Sequence, residues 1–178
     1  MRIISGKYRS RRIDPGKLFK HRPTTDRAKE GLFNILNNEF EFEDSVVADL
    51  FAGTGNISFE FLSRGVEKVV AVESNVRYCN FMRKTARELN ENALFLEPLD
   101  VFRFISKKKG KYDLIFADPP YELKEIKRLP ILIKESQILA EGGVFILEHG
   151  AETNFIENEY LYKTRKYGHV NFSFFFFD

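Results

Sequence analysis

Val46-Val47-Ala48-Asp49-Leu50-Phe51-Ala52-Gly53-Thr54-Gly55-Asn56 reads as an apolar strand running into a turn of small residues. A helix follows, with Ile57, Phe61 and Leu62 spaced to face inward. Strand, glycine turn and helix in that order open a doubly wound α/β unit, in which ligands bind at the carboxyl ends of the strands. Gly53 and Gly55 let the backbone approach a ligand closely. A second apolar strand, Val69 to Val72, ends at Glu73, 24 residues after Asp49. A carboxylate there can accept hydrogen bonds from both hydroxyls of a ribose.

The second informative stretch is Lys111-Tyr112-Asp113-Leu114-Ile115-Phe116-Ala117-Asp118-Pro119-Pro120-Tyr121. Prolines cannot donate to a sheet ladder and hold the preceding residue extended, so the strand Tyr112 to Ala117 stops at Asp118. A stiff loop then presents Asp118 and Tyr121 at a strand's carboxyl end. A carboxylate and a proline carbonyl can both accept hydrogen bonds from an exocyclic amine, and an aromatic ring beside them can stack on a planar base. Two acceptors pulling on the amine's protons would aim its lone pair at an electrophile, which is catalysis by positioning and electrostatics. Taken alone, Asp-Pro-Pro-Tyr is equally well a proline-bearing strand end without chemistry.

The chain has 178 residues, 43% hydrophobic and 15% aromatic, enough for one sizeable core. No apolar run approaches the ~18 residues of a membrane span, and the first dozen residues are charged, so a cytoplasmic protein is expected. Cys79 is the single cysteine, which excludes an internal disulfide, and three scattered histidines give no metal-ligand spacing. The net charge of +2 is unevenly distributed: residues 1 to 30 carry ten Lys or Arg against three Asp or Glu, and the remainder 18 against 23. A basic end on a mildly acidic body suits a polyanion, although a basic stretch by itself is more often a solvated tail.

Within that basic end, residues 2 to 13 read as a small hairpin carrying Lys7, Arg9, Arg11 and Arg12, closed by the turn Asp14-Pro15-Gly16. His21-Arg22-Pro23-Thr24-Thr25-Asp26-Arg27 leads into a helix with Ala28, Leu32, Ile35 and Leu36 at helical spacing. Thr24 or Thr25 can cap it, and a helix start flanked by Arg22 and Arg27 is a natural phosphate site or an ordinary capped helix. Further along, Asn75 to Asn90 predicts a helix with Val76, Cys79, Met82 and Ala86 inward; Ala93 to Leu96 predicts a third strand. Asp100 follows at that strand's carboxyl end, able to receive an adenine amine, to cap the next helix, or both. Lys107 to Lys111 reads as solvated surface. A helix over 126–139 interrupted by Pro130, a turn at Glu141-Gly142-Gly143 opening the strand Val144 to Glu148, and two final strands over 160–164 and 169–177 complete the expectation. Phe174 to Phe177 is expected to be covered on both faces.

These residues resemble class I S-adenosylmethionine-dependent methyltransferases, specifically the bacterial enzymes that methylate the N2 amine of a guanine in small-subunit (16S) ribosomal RNA. The resemblance runs nearly end to end. It rests on Arg2-Ile3-Ile4-Ser5-Gly6, Arg22-Pro23-Thr24-Thr25-Asp26-Arg27, Asp49 to Gly55, Leu62-Ser63-Arg64 and Asp118-Pro119-Pro120-Tyr121. It implies a mostly parallel seven-stranded Rossmann-like sheet with helices on both faces and an antiparallel last strand. It also implies an RNA-contacting extension over 1–38 packed on a methyltransferase domain over 39–178. S-adenosylmethionine would be held by Asp49, by the turn Phe51, Ala52, Gly53, Thr54, Gly55 and Asn56, by Glu73 and Ser74, and by Asp100 and Val101. Asp118, Pro119, Pro120 and Tyr121 would hold the target base, with Tyr where the family often has Phe. Lys7, Arg9, Arg11, Arg12, Arg22, Thr24, Thr25 and Arg27 would contact 16S rRNA within a small-subunit assembly particle, with no metal, membrane or obligate protein partner.

Competing readings share parts of this pattern. A nicotinamide dehydrogenase would use the glycine turn and the acid after it, but Ser58 stands where a third Gly or Ala belongs and Asp118 to Tyr121 would have no role. DNA amino-group and protein glutamine methyltransferases share the Pro-Pro loop but lack this basic segment. A non-catalytic RNA-binding assembly factor would not need Asp49, Glu73 and Asp118 together.

Overall fold

The computed structural model describes residues 1–16, 25–107 and 110–177. Arg22 and Thr24, with the rest of His21 to Thr24, lie outside the described residues, as do Lys108 and Lys109.

Among the described residues, five α-helices and seven strands follow one another as α1 (Asp26–Glu39), β1 (Val46–Leu50), α2 (Asn56–Ser63), β2 (Lys68–Val72), α3 (Val76–Glu88), β3 (Leu94–Glu97), α4 (Val101–Ser106), β4 (Tyr112–Ala117), α5 (Leu129–Ser136), β5 (Leu139–His149), β6 (Leu161–Tyr167) and β7 (Val170–Phe175). The sheet order is β3-β2-β1-β4-β5-β7-β6. All pairs from β3 to β5 are parallel, and β7 runs antiparallel to β5 and β6. This is the expected seven-stranded sheet with its antiparallel member.

Alternation along the strands divides the core in two. Val47, Val69, Ala71, Leu114, Phe116, Ile146 and Phe172 face α1, α2 and α3. Ala48, Leu50, Val72, Ile115, Ala117, Phe145 and Phe175 face α4 and α5. Both faces of β1, β2 and β4 are dry, which is why they read as near-continuous apolar runs. Helix α2 is buried at every position after its first, including Glu60. It is covered on its outer side by the amino-terminal segment, whose Ile3 joins the same core.

That segment is a tight hairpin with one antiparallel bridge, Arg2 to Arg12, and its fit on α2 joins two of the motifs. Lys7 N donates to the Ser63 carbonyl at 2.7 Å, Tyr8 N to Ser63 Oγ at 2.9 Å, and Ser63 Oγ to the Ser5 carbonyl at 2.5 Å. Gly6, at φ +82°, lies so close that a Cβ would stand 1.7 Å from the Ser63 carbonyl oxygen. Glu60 accepts from Ile4 N at 2.8 Å and Ser5 N at 3.1 Å.

Several expectations are corrected. Val76 is 62% exposed, because it occupies the first turn of α3 beyond the end of β2, whereas Cys79, Met82 and Ala86 are buried as expected. The segment after the Pro-Pro loop is a 3-10 turn, Ile126–Arg128, followed by α5. Pro130 falls in the first turn of α5, where its missing N–H has no helical partner to lose. Glu141, Gly142 and Gly143 do not precede β5; they bulge within it, between the Tyr112–Leu139 and Leu114–Val144 pairings. Strand β6 extends through Tyr167, so the hairpin turn lies at Gly168, φ +65°. Phe174 and Phe175 are buried, but Phe176 is 37% exposed, since the strand ends at Phe175 and the ring leaves the sheet.

Candidate active site

The strand order reverses between β1 and β4, and the carboxyl ends of these two neighbours carry the two loops singled out in the sequence. They touch: Asp118 N donates to the Leu50 carbonyl at 3.3 Å. Such a switch point leaves a crevice where ligands enter. In register, Asp49 lies beside Phe116 on β4 and Ala71 on β2. Asp118 and Glu73 are two residues beyond these partners, so all three carboxylates share one side-chain parity, on the α2 side of the sheet.

Turning the chain from β1 to α2 takes three positive φ angles: Phe51 at 63°, Gly53 at 56° and Gly55 at 82°. Phe51 in the left-handed region is uncommon for an aromatic residue and is fixed by its neighbours. Ala52 N donates to the Val72 carbonyl at 3.0 Å, and Gly53 N to Glu73 Oε2 at 2.9 Å. The other carboxylate oxygen of Glu73 accepts from Asn75 N at 2.7 Å. Glu73 thus joins two loops and retains acceptor capacity on each oxygen. Helix α2 starts at the left-handed Gly55 with no side-chain cap from that residue; Asp49 takes the Ser58 N–H, and the N–H groups of Asn56 and Ile57 suit an anionic group. Thr54 is buried, Asn56 is half-buried and Ser74 is exposed.

Asp49 is 2% exposed and accepts a hydrogen bond from Ser58 Oγ. Burial pushes its carboxyl up to about 7, against the Ser58 hydrogen bond, which lowers it; the charges of Asp118 and Glu73 raise it further. Burial likewise pushes Asp118 up to about 7. A charge on Asp118 disfavours ionisation of Asp49. Pro119 is buried and Pro120 exposed; the Pro120 carbonyl accepts from Leu123 N at 2.9 Å, closing the loop. Tyr121 is 52% exposed, its ring beside Gly150, where a Cβ would stand 3.4 Å away. Burial, then Glu148 and Asp118, push its hydroxyl up to about 12. Asp100 caps α4 by accepting from Arg103 N at 3.1 Å and stays exposed, while Val101 is buried.

Arg9, Arg11, Arg12 and Arg27 are exposed. Lys7 pairs with Glu91 at 2.8 Å, and Thr25 caps α1, accepting from Ala28 N at 3.2 Å.

Four residues that position this site carried no role in the sequence reading. Ser58 holds Asp49; its place two residues into the helix after an acid-ended strand was the available signal. Glu148 is 2% exposed at the end of β5 and faces Tyr121; an acid closing an apolar strand, as at Glu73, was its signal. Lys29 and Glu60 sit 3.4 Å apart, both fully buried, and Lys29 Nζ also donates to the Arg2 carbonyl at 2.5 Å and to Asn56 Oδ1 at 3.0 Å. Nothing local marks these two, since a charged residue on an apolar helix face reads as exposed.

A family model described as "Conserved hypothetical protein 95" matches residues 1–176. A Bacillus subtilis protein named "Putative rRNA methyltransferase YlbH" is 33% identical over 162 residues, covering 88% of this chain and 86% of its own. The "Ribosomal RNA small subunit methyltransferase D" of Haemophilus influenzae is 29% identical, covering 97% of this chain and 91% of its own. Among solved structures, the Escherichia coli protein titled "Putative methyltransferase yhhF" superposes with a TM-score of 0.84 at 27% identity, over 98% of this chain and 96% of that one.

Proposed function

The chain belongs to the family described as Conserved hypothetical protein 95, and from that premise we propose that it methylates the exocyclic N2 amine of a guanine in small-subunit ribosomal RNA, using S-adenosylmethionine. The observation that carries this reading is the contact at the switch point, which sets the Asp49 turn and the Asp118 loop on one crevice. The names of the curated relatives supply the RNA; the crevice supplies the chemistry.

S-adenosylmethionine brings an electrophilic methyl group on a cationic sulfur. The residues of the crevice fit it: carboxylates at Asp49, Glu73 and Asp100 offer acceptors to an ammonium, a ribose diol and an adenine amine, and the uncapped start of α2 suits a carboxylate. A dinucleotide's pyrophosphate would instead meet buried Asp49. We assign Asp49 and Phe51 to Asn56 to the methionine end, Glu73 and Ser74 to the ribose, and Asp100 and Val101 to the adenine.

For the acceptor base, Asp118 and the Pro119 carbonyl take the two N–H groups of the amine while Tyr121 stacks on the ring. With the Pro120 carbonyl engaged by Leu123, Pro119 offers the free acceptor next to the carboxylate. Asp118 positions the lone pair first; with its carboxyl pushed up to about 7 it is also able to hold the proton that the amine releases. The base reaches this depth only unpaired or flipped out. We assign RNA contact to residues 1–38, through Lys7, Arg9, Arg11, Arg12, Arg22, Thr24, Thr25 and Arg27, and catalysis to 39–178. The substrate is 16S rRNA in a small-subunit particle in the cytoplasm. Among the described residues no helix is long and apolar enough to cross a membrane.

The test is transfer of labelled methyl from S-adenosylmethionine to small-subunit particles from cells lacking this gene, followed by nucleoside analysis. Labelled N2-methylguanosine is expected. Absence of label in RNA, with cofactor still bound, would overturn the RNA reading and direct the assay to DNA and to protein amides.

A further inference from the structure

The side chain of Lys29 on α1 is 1% exposed, and its ammonium faces three acceptors: the Arg2 carbonyl at 2.5 Å, Asn56 Oδ1 at 3.0 Å and Glu60 Oε2 at 3.4 Å. They come from two elements, the hairpin and α2, so all three ammonium protons are engaged and the group cannot turn. The fold gains little stability from this, since a buried ion pair is close to neutral against an apolar pair of the same volume. What the arrangement fixes is a direction. An ammonium only donates, so the amide oxygen of Asn56 must face Lys29 and its NH2 group must face away.

Asn56 is the first residue of α2, directly after the left-handed Gly55. Among the described residues its NH2 group donates to no protein acceptor, yet no buried side-chain polar atom is left unsatisfied, so this group reaches solvent. The main-chain N–H groups of Asn56 and Ile57 have no partner within the helix, while that of Ser58 goes to Asp49. Neutral donors thus stand beside a buried carboxylate, which suits the two ends of an amino acid. Asp49 answers the ammonium and the donors answer the carboxylate. We infer that Lys29 is a positioning residue for the cofactor: by holding Oδ1 it turns the Asn56 NH2 group to the carboxylate of the methionine end, so that the site selects adenosyl ligands carrying this carboxylate. The inference rests on the assignment of the methionine end to this turn under the proposed function, and it adds the residue that sets the selectivity. An amide with nothing holding its oxygen presents either end, and an oxygen there repels the carboxylate. Lys29 removes that choice without touching the ligand.

The test is calorimetric titration of the full chain with S-adenosylhomocysteine, which keeps the amino-acid end, and with methylthioadenosine, which lacks it; the readout is the ratio of the two affinities. Asn56→Asp keeps the volume and the acceptor for Lys29 but replaces the NH2 group by a charged oxygen. It is expected to lose roughly ten- to hundredfold for S-adenosylhomocysteine, as for a hydrogen bond to a charged group, with methylthioadenosine unchanged. Lys29→Met/Glu60→Gln removes both buried charges together, so neither is stranded, and should lower the ratio severalfold. Added to Asn56→Ala, the same pair should leave the ratio where Asn56→Ala alone puts it, because Lys29 acts through the amide. A measurement that needs no change at Lys29 is NMR of the nitrogen-labelled protein: the Asn56 side-chain amide should shift with S-adenosylhomocysteine and stay in place with methylthioadenosine. Equal loss of both ligands in the variants would reduce Lys29 to a structural role and overturn the inference. So would a further fall in the ratio in the Asn56→Ala background, which would mean that the ammonium acts on the ligand directly, or identical amide shifts with the two ligands. A wild-type protein that binds both ligands equally would remove the assignment of the methionine end along with the inference; a wild-type preference that every variant keeps would remove the inference alone.

Discussion

Replacing Asp118 by Asn separates the two halves of the crevice, because it keeps the side chain's volume and one acceptor while removing its charge. In the wild-type protein Asp118 is one of the groups that raise Asp49, whose carboxyl stands at about 7 chiefly through burial. If the cofactor's cation binds the ionised carboxylate, a group with this pKa is roughly one-eleventh ionised at pH about 6, so affinity should fall about tenfold from its value at pH about 8. In Asp118→Asn the repulsion is gone while burial and the Ser58 hydrogen bond remain. The midpoint of that fall should therefore move to lower pH, and cofactor affinity near pH 6 should improve on wild type. Transfer should behave oppositely. The loss of a preorganised charged acceptor on the amine removes about 3–4 kcal/mol of transition-state stabilisation, or roughly 10²–10³ in kcat. Calorimetric titration of cofactor across pH, with single-turnover transfer on the same samples, reads both numbers. A wild-type affinity that stays flat down to pH 6 would refute the role given to Asp49. Cofactor affinity in the variant falling as steeply as transfer would refute the assignment of Asp118 to the base.

Changing Arg9, Arg11 and Arg12 together to Ala should weaken RNA binding and lower its salt slope by about 2 to 3, measured by filter binding; an unchanged slope removes the hairpin from the interface. Glu60→Gln should destabilise the fold by roughly 3–5 kcal/mol in denaturant unfolding, since it strands the buried ammonium of Lys29. Part of that cost is relieved because burial already lowers the pKa of Lys29 and eases its neutralisation. For Asp49 the folded pKa lies above the unfolded one, so the native state binds the extra proton, and stability is lost as pH rises from about 4 through about 7. Asp49→Asn should therefore flatten the dependence of the cofactor-free unfolding midpoint across that window, and an unaltered pH profile would count against a raised carboxyl.

The elements that the sequence made legible are those whose pattern is local. Strands β1, β2 and β4 are dry on both faces and end at a glycine turn or an acid, so their type and carboxyl ends followed from composition alone. Parity then placed Asp49, Glu73 and Asp118 together once the strand order was known. What stayed hidden depends on partners distant in the chain. The bulge at Glu141 to Gly143 exists because β5 must stay in register with β4 while covering Tyr112. Val76 kept the helical spacing of a core residue but begins its helix past the sheet, where nothing covers it. Lys29 and Glu60 are 31 residues apart and each is tolerable inside only because the other is there, a condition no single-segment pattern can express.

That buried pair also explains why the amino-terminal motifs accompany the glycine turn. Lys29 on α1 reaches the backbone of the hairpin at Arg2 and the side chain of Asn56, the first residue of the helix that the turn opens. Glu60, one turn along the same helix, takes Ile4 N, Ser5 N and Arg64. The cationic hairpin is therefore fastened to the element that begins at the crevice, and not to a flexible tail. If the proposed RNA contact holds, a phosphate on Arg9 to Arg12 would sit at a set distance from Asp118, because the links between them are partly buried hydrogen bonds and strands in register. On the proposed function, rigid coupling of this kind would convert binding energy from phosphates remote from the reaction into positioning of the amine. Gly6 is the narrowest point of that coupling, since any side chain there must displace the Ser63 carbonyl and lift the hairpin from α2.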